Sequence, residues 1–233
     1  MKYDIIISIN IHENPSFLLD QLQNLIDYIH VSFKVILNCN HYMFEQLKHI
    51  QLPSFVDIYP VPLEKNVFHG SLTQGIYRNM NYAVDKYDFD YFLVMSSREF
   101  FYRPLNNVSQ ILDHYVTERS AEWIKLGHWH WPTFRRSLLF QYIEANNMIF
   151  GHSMHEGLCI RKDTCVFIIQ FLTAHPHIKA DIFNFDWCVE EFALQTIACN
   201  HHGFYYIGNG CQTLSLDNVI PDRFTHKRPR PSS

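Results

Sequence analysis

The sequence predicts an α/β protein in which a mostly parallel β-sheet is flanked by helices within a single domain of residues 1–233. Two observations predict this fold. Short runs of aliphatic residues alternate along the chain with segments that carry apolar residues at helical spacing. The composition is 47% hydrophobic and 18% charged, which provides enough apolar surface for a buried core and argues against disorder.

The first half of the chain repeats a unit of one strand and one helix. Residues 3–9 form a nearly continuous apolar run that is typical of a strand buried on both faces, and residues 16–29 have helical spacing. The same reasoning predicts further strands at 33–37, 56–61 and 91–95 and helices at 42–50 and 70–84. Strands that alternate with helices pair in parallel, because each helix returns the chain to the same end of the sheet.

The second half of the chain shows a weaker pattern. We predict helices at 108–115, 165–174 and 188–198 and a short strand at 158–160. No repeat, low-complexity tract or linker divides the sequence, so both halves are expected to share one domain.

Polar side chains follow the predicted strands where ligands of open α/β sheets bind, outside the carboxyl ends of the strands. The first strand is followed by a polar loop, the second by an Asn-Cys-Asn turn, and the strand at 91–95 by Ser-Ser-Arg-Glu. The candidate ligand-binding residues are Asn10, His12, Glu13, Asn38, Asn40, Ser96, Ser97 and Arg98. Each of them also has a structural interpretation as a loop cap or turn former.

The formal net charge of -4 gives no reason to expect a nucleic-acid partner. A basic cluster nevertheless lies near the end of the chain and consists of Arg223, Lys227, Arg228 and Arg230. It is either a solvated tail or an arm that folds over a polyphosphate, and its position in the sequence does not decide between the two.

The six cysteines contain no C-x-x-C pair and no zinc-type spacing, so we expect free, mostly buried thiols in a reducing compartment. The apolar run at the N-terminus is too short to span a bilayer and lacks a secretory cleavage pattern. We therefore expect a cytoplasmic protein with no transmembrane segment, which leaves peripheral membrane association open.

Four segments, in this order along the chain, carry a resemblance to a known family. They are IISINIHENP at the first strand, HGSLTQGIYRNMNYAVDKYDFDYFLVMSSREFFYRPL at 69–105, HEGLCIRKD at 155–163 and EEFALQT at 190–196. Together they resemble the core-2/I-branching β-1,6-N-acetylglucosaminyltransferases and the peptide O-xylosyltransferases, with their short bacterial relatives. The resemblance spans most of residues 1–200.

This resemblance implies a GT-A fold, which contains a Rossmann-like sheet, with a nucleotide-sugar-binding half at 1–115 and an acceptor-binding, catalytic half at 116–233. It also implies a UDP-sugar donor, inversion at the anomeric carbon, and catalysis without a metal ion or other cofactor. The donor site of the family adds Ser71, in the small-residue segment, to the candidate residues.

Most GT-A enzymes hold a metal ion with a D-x-D motif after the central strand, and residues 96–99 occupy that place here. The chain does contain a literal D-x-D at 88–90, but it precedes the predicted strand. Because a motif has meaning only in its structural context, we interpret residues 88–90 as a solvated turn between a helix and a strand.

By the fourth segment, the resemblance identifies Glu191 as the catalytic base that takes a proton from the acceptor hydroxyl. The alternative for Glu191 is an exposed carboxylate at a helix N-terminus. Glu156, in the third segment, is the second candidate for the base. The late basic cluster would stabilise the charge on the departing diphosphate, and Arg78 and Arg98 are alternatives nearer the donor loops. Trp129, His130 and Trp131 would form a wall of the acceptor site.

These features predict an inverting glycosyltransferase that moves a sugar from UDP to a glycan hydroxyl during synthesis of a surface polysaccharide or glycoconjugate. Two alternatives stay open. One is a metal-dependent GT-A transferase, and the histidine pairs His128/His130 and His152/His155 suggest where a metal could bind. The other is a catalytically silent module that binds carbohydrate or nucleotide.

Overall fold

A computed structural model gives the fold and describes residues 2–11, 14–65, 70–107, 117–119, 131–152, 155, 157–201 and 213–215. The first half contains β1 (Lys2–Ile11), α1 (Pro15–Tyr28), β2 (Phe33–Cys39), α2 (His41–Leu47), β3 (Val56–Ile58), α3 (Gly70–Lys86), β4 (Asp88–Ser96) and β5 (Glu99–Phe101). The second half contains β6 (Thr117–Arg119), α4 (Trp131–Phe134), α5 (Leu138–Ala145), β7 (Phe150–His152), β8 (Cys159–Arg161), α6 (Lys162–Ala174), α7 (Pro176–Asn184), a 3₁₀ helix (Val189–Glu191), α8 (Ala193–Cys199) and β9 (Thr213–Ser215).

The main sheet contains five strands in the order β3-β2-β1-β4-β8. β1 pairs in parallel with β2 and β4, β2 pairs in parallel with β3, and β8 runs antiparallel to β4 at the edge. The prediction of a mostly parallel, Rossmann-like α/β sheet is therefore confirmed. Two small antiparallel ladders join β5 to β9 and β6 to β7.

Both faces of the sheet are buried, which explains the apolar run in β1. Ile5, Ile7 and Ile9 belong to a core cluster with the apolar side of α1. Ile6 points the other way and belongs to a second cluster with α3 and with the helices of the second half. Across the described parts of the chain, every helix is too short or too polar to cross a bilayer.

Side-chain caps fix where two of the helices begin. The Asn14 side chain accepts a hydrogen bond from the Ser16 N–H at 3.0 Å, and Pro15 occupies the first turn of α1. The Asn40 side chain accepts one from the Met43 N–H at 2.8 Å, at the start of α2. Asn40, a candidate ligand-binding residue, therefore has the capping role that the sequence left open.

Two local predictions are wrong because sheet pairing overrides local sequence. The turn predicted at 38–40 begins two residues later, at Asn40, since β2 is paired as far as Cys39. The D-x-D at 88–90 is the start of β4 and not a turn. Its carboxylates form exposed ion pairs, Asp90 with Lys2 at 2.7 Å and Asp88 with Lys162 at 3.0 Å.

The helix predicted at 188–198 is also interrupted. Cys188 has a positive φ of 20°, the next three residues form the 3₁₀ helix, and Phe192 departs from helical geometry before α8 begins. The Phe192 ring stacks on Phe134 with centroids 4.9 Å apart, and it also contacts Phe150. This aromatic packing accompanies the interruption, which a helical pattern in the sequence does not reveal.

The cysteines in the described part of the chain are free thiols, as predicted. Cys39, Cys165 and Cys188 are buried, and Cys159 and Cys199 are half-buried. Burial raises the pKa of Cys39 to about 12, so this thiol stays protonated at physiological pH. Cys211 lies outside the described residues.

Candidate functional site

Three of the predicted polar residues form a row across the carboxyl end of the parallel sheet. Asn10 in β1 pairs in register with Asn38 in β2 on one side and with Ser96 in β4 on the other. Register partners in a sheet present their side chains on the same face, and the Asn10 side chain contacts α3. The row therefore lies on the α3 side, at the end of the sheet where ligands of parallel α/β folds bind.

The middle residue of the row is held against the backbone of α3. The Asn10 Nδ2 atom donates a hydrogen bond to the Leu72 carbonyl oxygen at 3.0 Å. A Cβ atom at Gly75 would lie 2.3 Å from Asn10 Oδ1 and 3.0 Å from Lys65 Cε. Gly75 is therefore required for the close approach of these two side chains to the helix.

Asn38 is fully buried, yet its amide has no partner among the described residues. The same holds for the Thr73 hydroxyl in the first turn of α3 and for Asn10 Oδ1. A buried polar group without a hydrogen bond costs about 1–3 kcal/mol. Three such groups at the carboxyl end of one sheet provide donors and acceptors that the described protein groups do not use.

The loop that follows β4 is fixed by amide side chains of α1. Gln21 Nε2 donates to the carbonyl oxygens of Ser96 and Glu99, both at 2.8 Å. Asn24 exchanges two hydrogen bonds with the Phe101 backbone, at 2.7 and 2.9 Å. The buried Glu99 carboxylate accepts a hydrogen bond from the Ser96 N–H at 2.6 Å. The only acid of this loop thus helps to close the loop.

The remaining candidate residues of this region lie near the row. Ser97 is buried beside Ser96, and the Arg98 N–H donates to Ser96 Oγ at 3.4 Å. Ser71 is half-buried in the first turn of α3, one residue before Leu72. Arg78 lies further along α3 and donates from Nη1 to the Val61 carbonyl oxygen at 3.4 Å.

Lys65 also belongs to this region, although the sequence did not suggest it. Its Nζ donates to the carbonyl oxygens of Asn38 at 3.0 Å and Leu63 at 3.2 Å. The pKa of Lys65 is lowered to about 8, mainly by burial and in smaller part by the charge of Arg78. Gly75, inside the helical pattern of α3, is the one local signal in the sequence that another group approaches the helix closely at this point.

Glu191 lies in the 3₁₀ helix, which packs against α3 and so shares the α3 side of the sheet. The Phe185 carbonyl oxygen, six residues earlier in sequence, accepts a hydrogen bond from the Gly70 N–H at 2.8 Å, at the start of α3. Glu190 is buried, whereas Glu191 is half-buried. Of the two adjacent acids, Glu191 is therefore the more accessible to a substrate.

The loop before β8 lies beside the end of β4. The Gly157 N–H donates to the Val94 carbonyl oxygen and the Val94 N–H to the Leu158 carbonyl oxygen, both at 2.8 Å. Gly157 has a φ of 74°, a conformation that favours glycine. Glu156 lies outside the described residues, but both residues adjacent to it in sequence are described. Its neighbour Gly157 is hydrogen-bonded to Val94, which lies two residues before Ser96 in β4.

The other predicted site residues belong to segments other than those that form the row. His12, Glu13, Trp129, His130, Arg223, Lys227, Arg228 and Arg230 lie outside the described residues, and only the backbone of Trp131, at the start of α4, is described. β9 pairs with β5, and Ser215 is the register partner of Glu99. Ser215, which is eight residues before Arg223 in sequence, therefore lies beside the end of the loop after β4.

A separate groove of about 550 Å³ lies at the opposite end of β4. Its lining includes Phe89 and Asp90 from β4, Lys162 from α6, and Phe167, whose ring stacks on His201 at 4.7 Å. None of the sequence-predicted site residues lines it.

No family model and no curated protein matches this chain. Within the described ranges, no three His, Cys, Asp or Glu side chains are grouped as metal ligands would be. His128 and His130 lie outside those ranges, so the interpretation of the histidine pairs stays a prediction.

Proposed function

We propose that this protein is an inverting glycosyltransferase that uses a UDP-sugar as donor and a glycan hydroxyl as acceptor. The observation that carries the proposal is the row of Asn38, Asn10 and Ser96 at the carboxyl end of the sheet. The buried Asn38 amide and the Oδ1 atom of Asn10 lack partners among the described residues, which favours a polar ligand at this end. The four segments that resemble the transferase family indicate that this ligand is a UDP-sugar.

In the proposed reaction the acceptor oxygen attacks the anomeric carbon while the bond to the β-phosphate oxygen of UDP breaks. The bonding electrons leave with UDP, and the acceptor proton passes to the carboxylate of Glu191. The half-buried position of Glu191 on the α3 side favours this role. UDP carries more negative charge after the step, so cationic side chains near the diphosphate would lower the barrier.

The loop after β4 fits a donor site that does not use a D-x-D. Glu99 is its only acid, and the carboxylate of Glu99 accepts the Ser96 N–H at 2.6 Å. The side-chain amide of Gln21 fixes the two ends of the loop, so the Ser96 side chain is preorganised at the end of the row. We therefore propose that Ser96 and Ser97 bind the donor directly.

The proposal is tested by calorimetry with UDP, GDP and CMP, each with and without EDTA. We expect UDP to bind more tightly than GDP or CMP, with an affinity that EDTA does not change. An affinity that EDTA abolishes would favour the metal-dependent alternative. If none of the three nucleotides binds, the assignment as a nucleotide-sugar transferase is wrong.

A further inference from the structure

Two cations lie together at the carboxyl end of the sheet, and carbonyl groups solvate both. The segment that follows β3 runs beside the end of β2, since the Leu63 N–H donates to the Cys39 carbonyl oxygen at 2.8 Å. Lys65 donates to the Leu63 and Asn38 carbonyl oxygens, and Arg78 donates to the Val61 carbonyl oxygen of the same segment. Carbonyl dipoles stabilise a positive charge but do not neutralise it.

The acid nearest to Lys65 in sequence is already engaged elsewhere. The Glu64 carboxylate accepts hydrogen bonds from the His41 N–H at 2.9 Å and is 2.8 Å from His41 Nδ1. Across the described residues, neither Lys65 nor Arg78 forms an ion pair with a carboxylate. Burial is the main cause that lowers the pKa of Lys65, the charge of Glu64 favours the charged form of Lys65, and the charge of Arg78 disfavours it.

Such an arrangement is costly for the free protein and favourable for an anion. A half-buried ammonium group loses hydration, and a second cation beside it adds repulsion. An anion bound between the two side chains would remove both costs. Arginine and lysine on a sheet end that binds ligands are the usual partners of phosphate.

We propose that Lys65 and Arg78 form an anion subsite that binds a phosphate group of the nucleotide donor. The identification of the anion as part of a nucleotide rests on the proposed function. The subsite adjoins the row directly, because the carbonyl oxygen that Lys65 contacts belongs to Asn38. Gly75 permits this position, since a Cβ there would lie 3.0 Å from Lys65 Cε.

The first test compares ligands that differ only in phosphate. Calorimetry is performed with UDP, uridine and inorganic pyrophosphate on the wild-type protein, Lys65→Met and Lys65→Arg. We expect Lys65→Met to weaken UDP and pyrophosphate binding about 10- to 100-fold, to leave uridine binding unchanged, and Lys65→Arg to restore part of the loss. Lys48→Met is the matched control, because Lys48 is an exposed lysine paired with Glu45 at 2.6 Å.

The second test separates a binding role from a structural one. The charged groups that face Lys65 are Glu64 beside it and Arg78 on α3, and the thiol of Cys39 also faces it but stays protonated and neutral. Because the free pKa of Lys65 is about 8, a bound anion raises it and the protein takes up protons at pH 8. Calorimetry of UDP binding in two buffers of different ionisation enthalpy measures this uptake, because the terminal phosphate, with a last pKa of about 6, is already ionised at pH 8. Lys65→Met should abolish the uptake.

The outcomes distinguish this inference from the proposed function. If UDP binds the wild-type protein and Lys65→Met binds it equally well, the subsite is overturned and the transferase proposal stands. If pyrophosphate binds through Lys65 but UDP does not bind, the subsite stands and the transferase proposal fails. If neither UDP nor pyrophosphate binds the wild-type protein, both are overturned.

Discussion

The α3-facing side of the sheet has two ends that differ in whether their buried polar groups have partners. At the amino end, Lys34 forms an ion pair with Asp57 at 2.8 Å. The hydroxyl groups of Tyr82 and Tyr87 both donate to the same carboxylate. At the carboxyl end, Asn38 lies on the same face of β2 as Lys34, four residues later, but its buried amide has no partner among the described residues.

Both ends are built from the same strands and the same helix, so the fold does not dictate the difference. Between them, Asn79 of α3 donates to Ser8 Oγ and to the Ile36 carbonyl oxygen, both at 3.0 Å. The ion pair at the amino end and the two hydrogen bonds from Asn79 Nδ2 hold the helix on the sheet, although Asn79 Oδ1 has no partner among the described residues. The carboxyl end leaves polar groups available, which is the distribution expected when one end stabilises the fold and the other binds a ligand.

The largest expected effect concerns chemistry at the carboxyl end. Glu191→Gln should lower the rate of sugar transfer about 10²- to 10⁴-fold, because the amide cannot accept the acceptor proton. The affinity for UDP should stay unchanged, since the base contacts the acceptor and not the nucleotide. Both quantities are measured, by a transfer assay and by calorimetry.

Glu45→Gln serves as the control, because Glu45 is an exposed acid on α2. Near-normal transfer by Glu191→Gln would remove Glu191 from the mechanism and make Glu156 the candidate base. Nucleotide binding without detectable transfer by the wild-type protein would favour the catalytically silent alternative.

The second effect concerns stability at the amino end. Asp57→Asn leaves the nearly buried Lys34 without its counter-charge, and we expect a loss of about 2–3 kcal/mol in the free energy of unfolding. UDP affinity should not change. Asp90→Asn is the control, because its ion pair with Lys2 is exposed and should contribute less than about 1 kcal/mol. Urea denaturation measures both variants.

The contribution of Asp57 should also depend on pH. Burial acts to raise its pKa, but the hydrogen bonds and charge of Lys34 and the two tyrosine hydroxyls outweigh it, so the pKa lies below its ordinary value. The stabilisation is therefore complete above the unfolded pKa of about 3.9 and is lost as the pH falls through the folded value. The difference in stability between the wild-type protein and Asp57→Asn should shrink below about pH 4; a difference that is constant down to pH 3 would contradict this.

The sheet could be predicted from the sequence because its signal is local. The apolar run of β1 and the helical spacing of α1 each depend on which faces are buried, and residues 3–9 and 16–29 carry that pattern themselves. Local pattern also sufficed to expect that polar residues after the strands would lie together, as Asn10, Asn38 and Ser96 do.

The rest depends on contacts between distant segments. Asn38 reads as a turn former, but pairing with β1 places it inside β2. Lys65 has no motif, and its position follows from a contact with a residue 27 positions earlier. The separate environments of Glu190 and Glu191 follow from the 3₁₀ helix before Phe192, where helical spacing predicts one continuous helix.

The third effect tests whether Asn10 and Lys65 must lie close to α3. Gly75→Ala places a methyl group 2.3 Å from Asn10 Oδ1, so the side chain must move and its hydrogen bond to Leu72 is lost. We expect UDP affinity to fall about 10-fold, which corresponds to the loss of one hydrogen bond. Alanine favours a helix by about 1 kcal/mol over glycine, and this gain offsets the lost hydrogen bond. The free energy of unfolding should therefore change little. Gln74→Ala is the control, and unchanged UDP affinity in Gly75→Ala would contradict the placement of Asn10 in the site.

The smallest effect gives the most direct comparison, because it concerns two fully buried asparagines on the same side of the sheet. Asn38→Leu replaces an amide that has no partner among the described residues with an apolar group of similar size. We expect it to raise the free energy of unfolding by about 1 kcal/mol and to weaken UDP binding. Asn79→Leu removes two hydrogen bonds and should lower that free energy by about 1–2 kcal/mol.

Opposite signs for the two substitutions would show that the two amides serve different purposes, because burial and side-chain volume are matched between them. A loss of stability in Asn38→Leu as large as in Asn79→Leu would mean that the Asn38 amide has a protein partner after all, and the carboxyl end would then be as satisfied as the amino end. A gain in stability with unchanged UDP affinity would separate the two conclusions, because the amide would be unpaired and yet would not contact the nucleotide. Only a higher free energy of unfolding together with a lower UDP affinity in Asn38→Leu supports a carboxyl end whose polar groups bind a ligand.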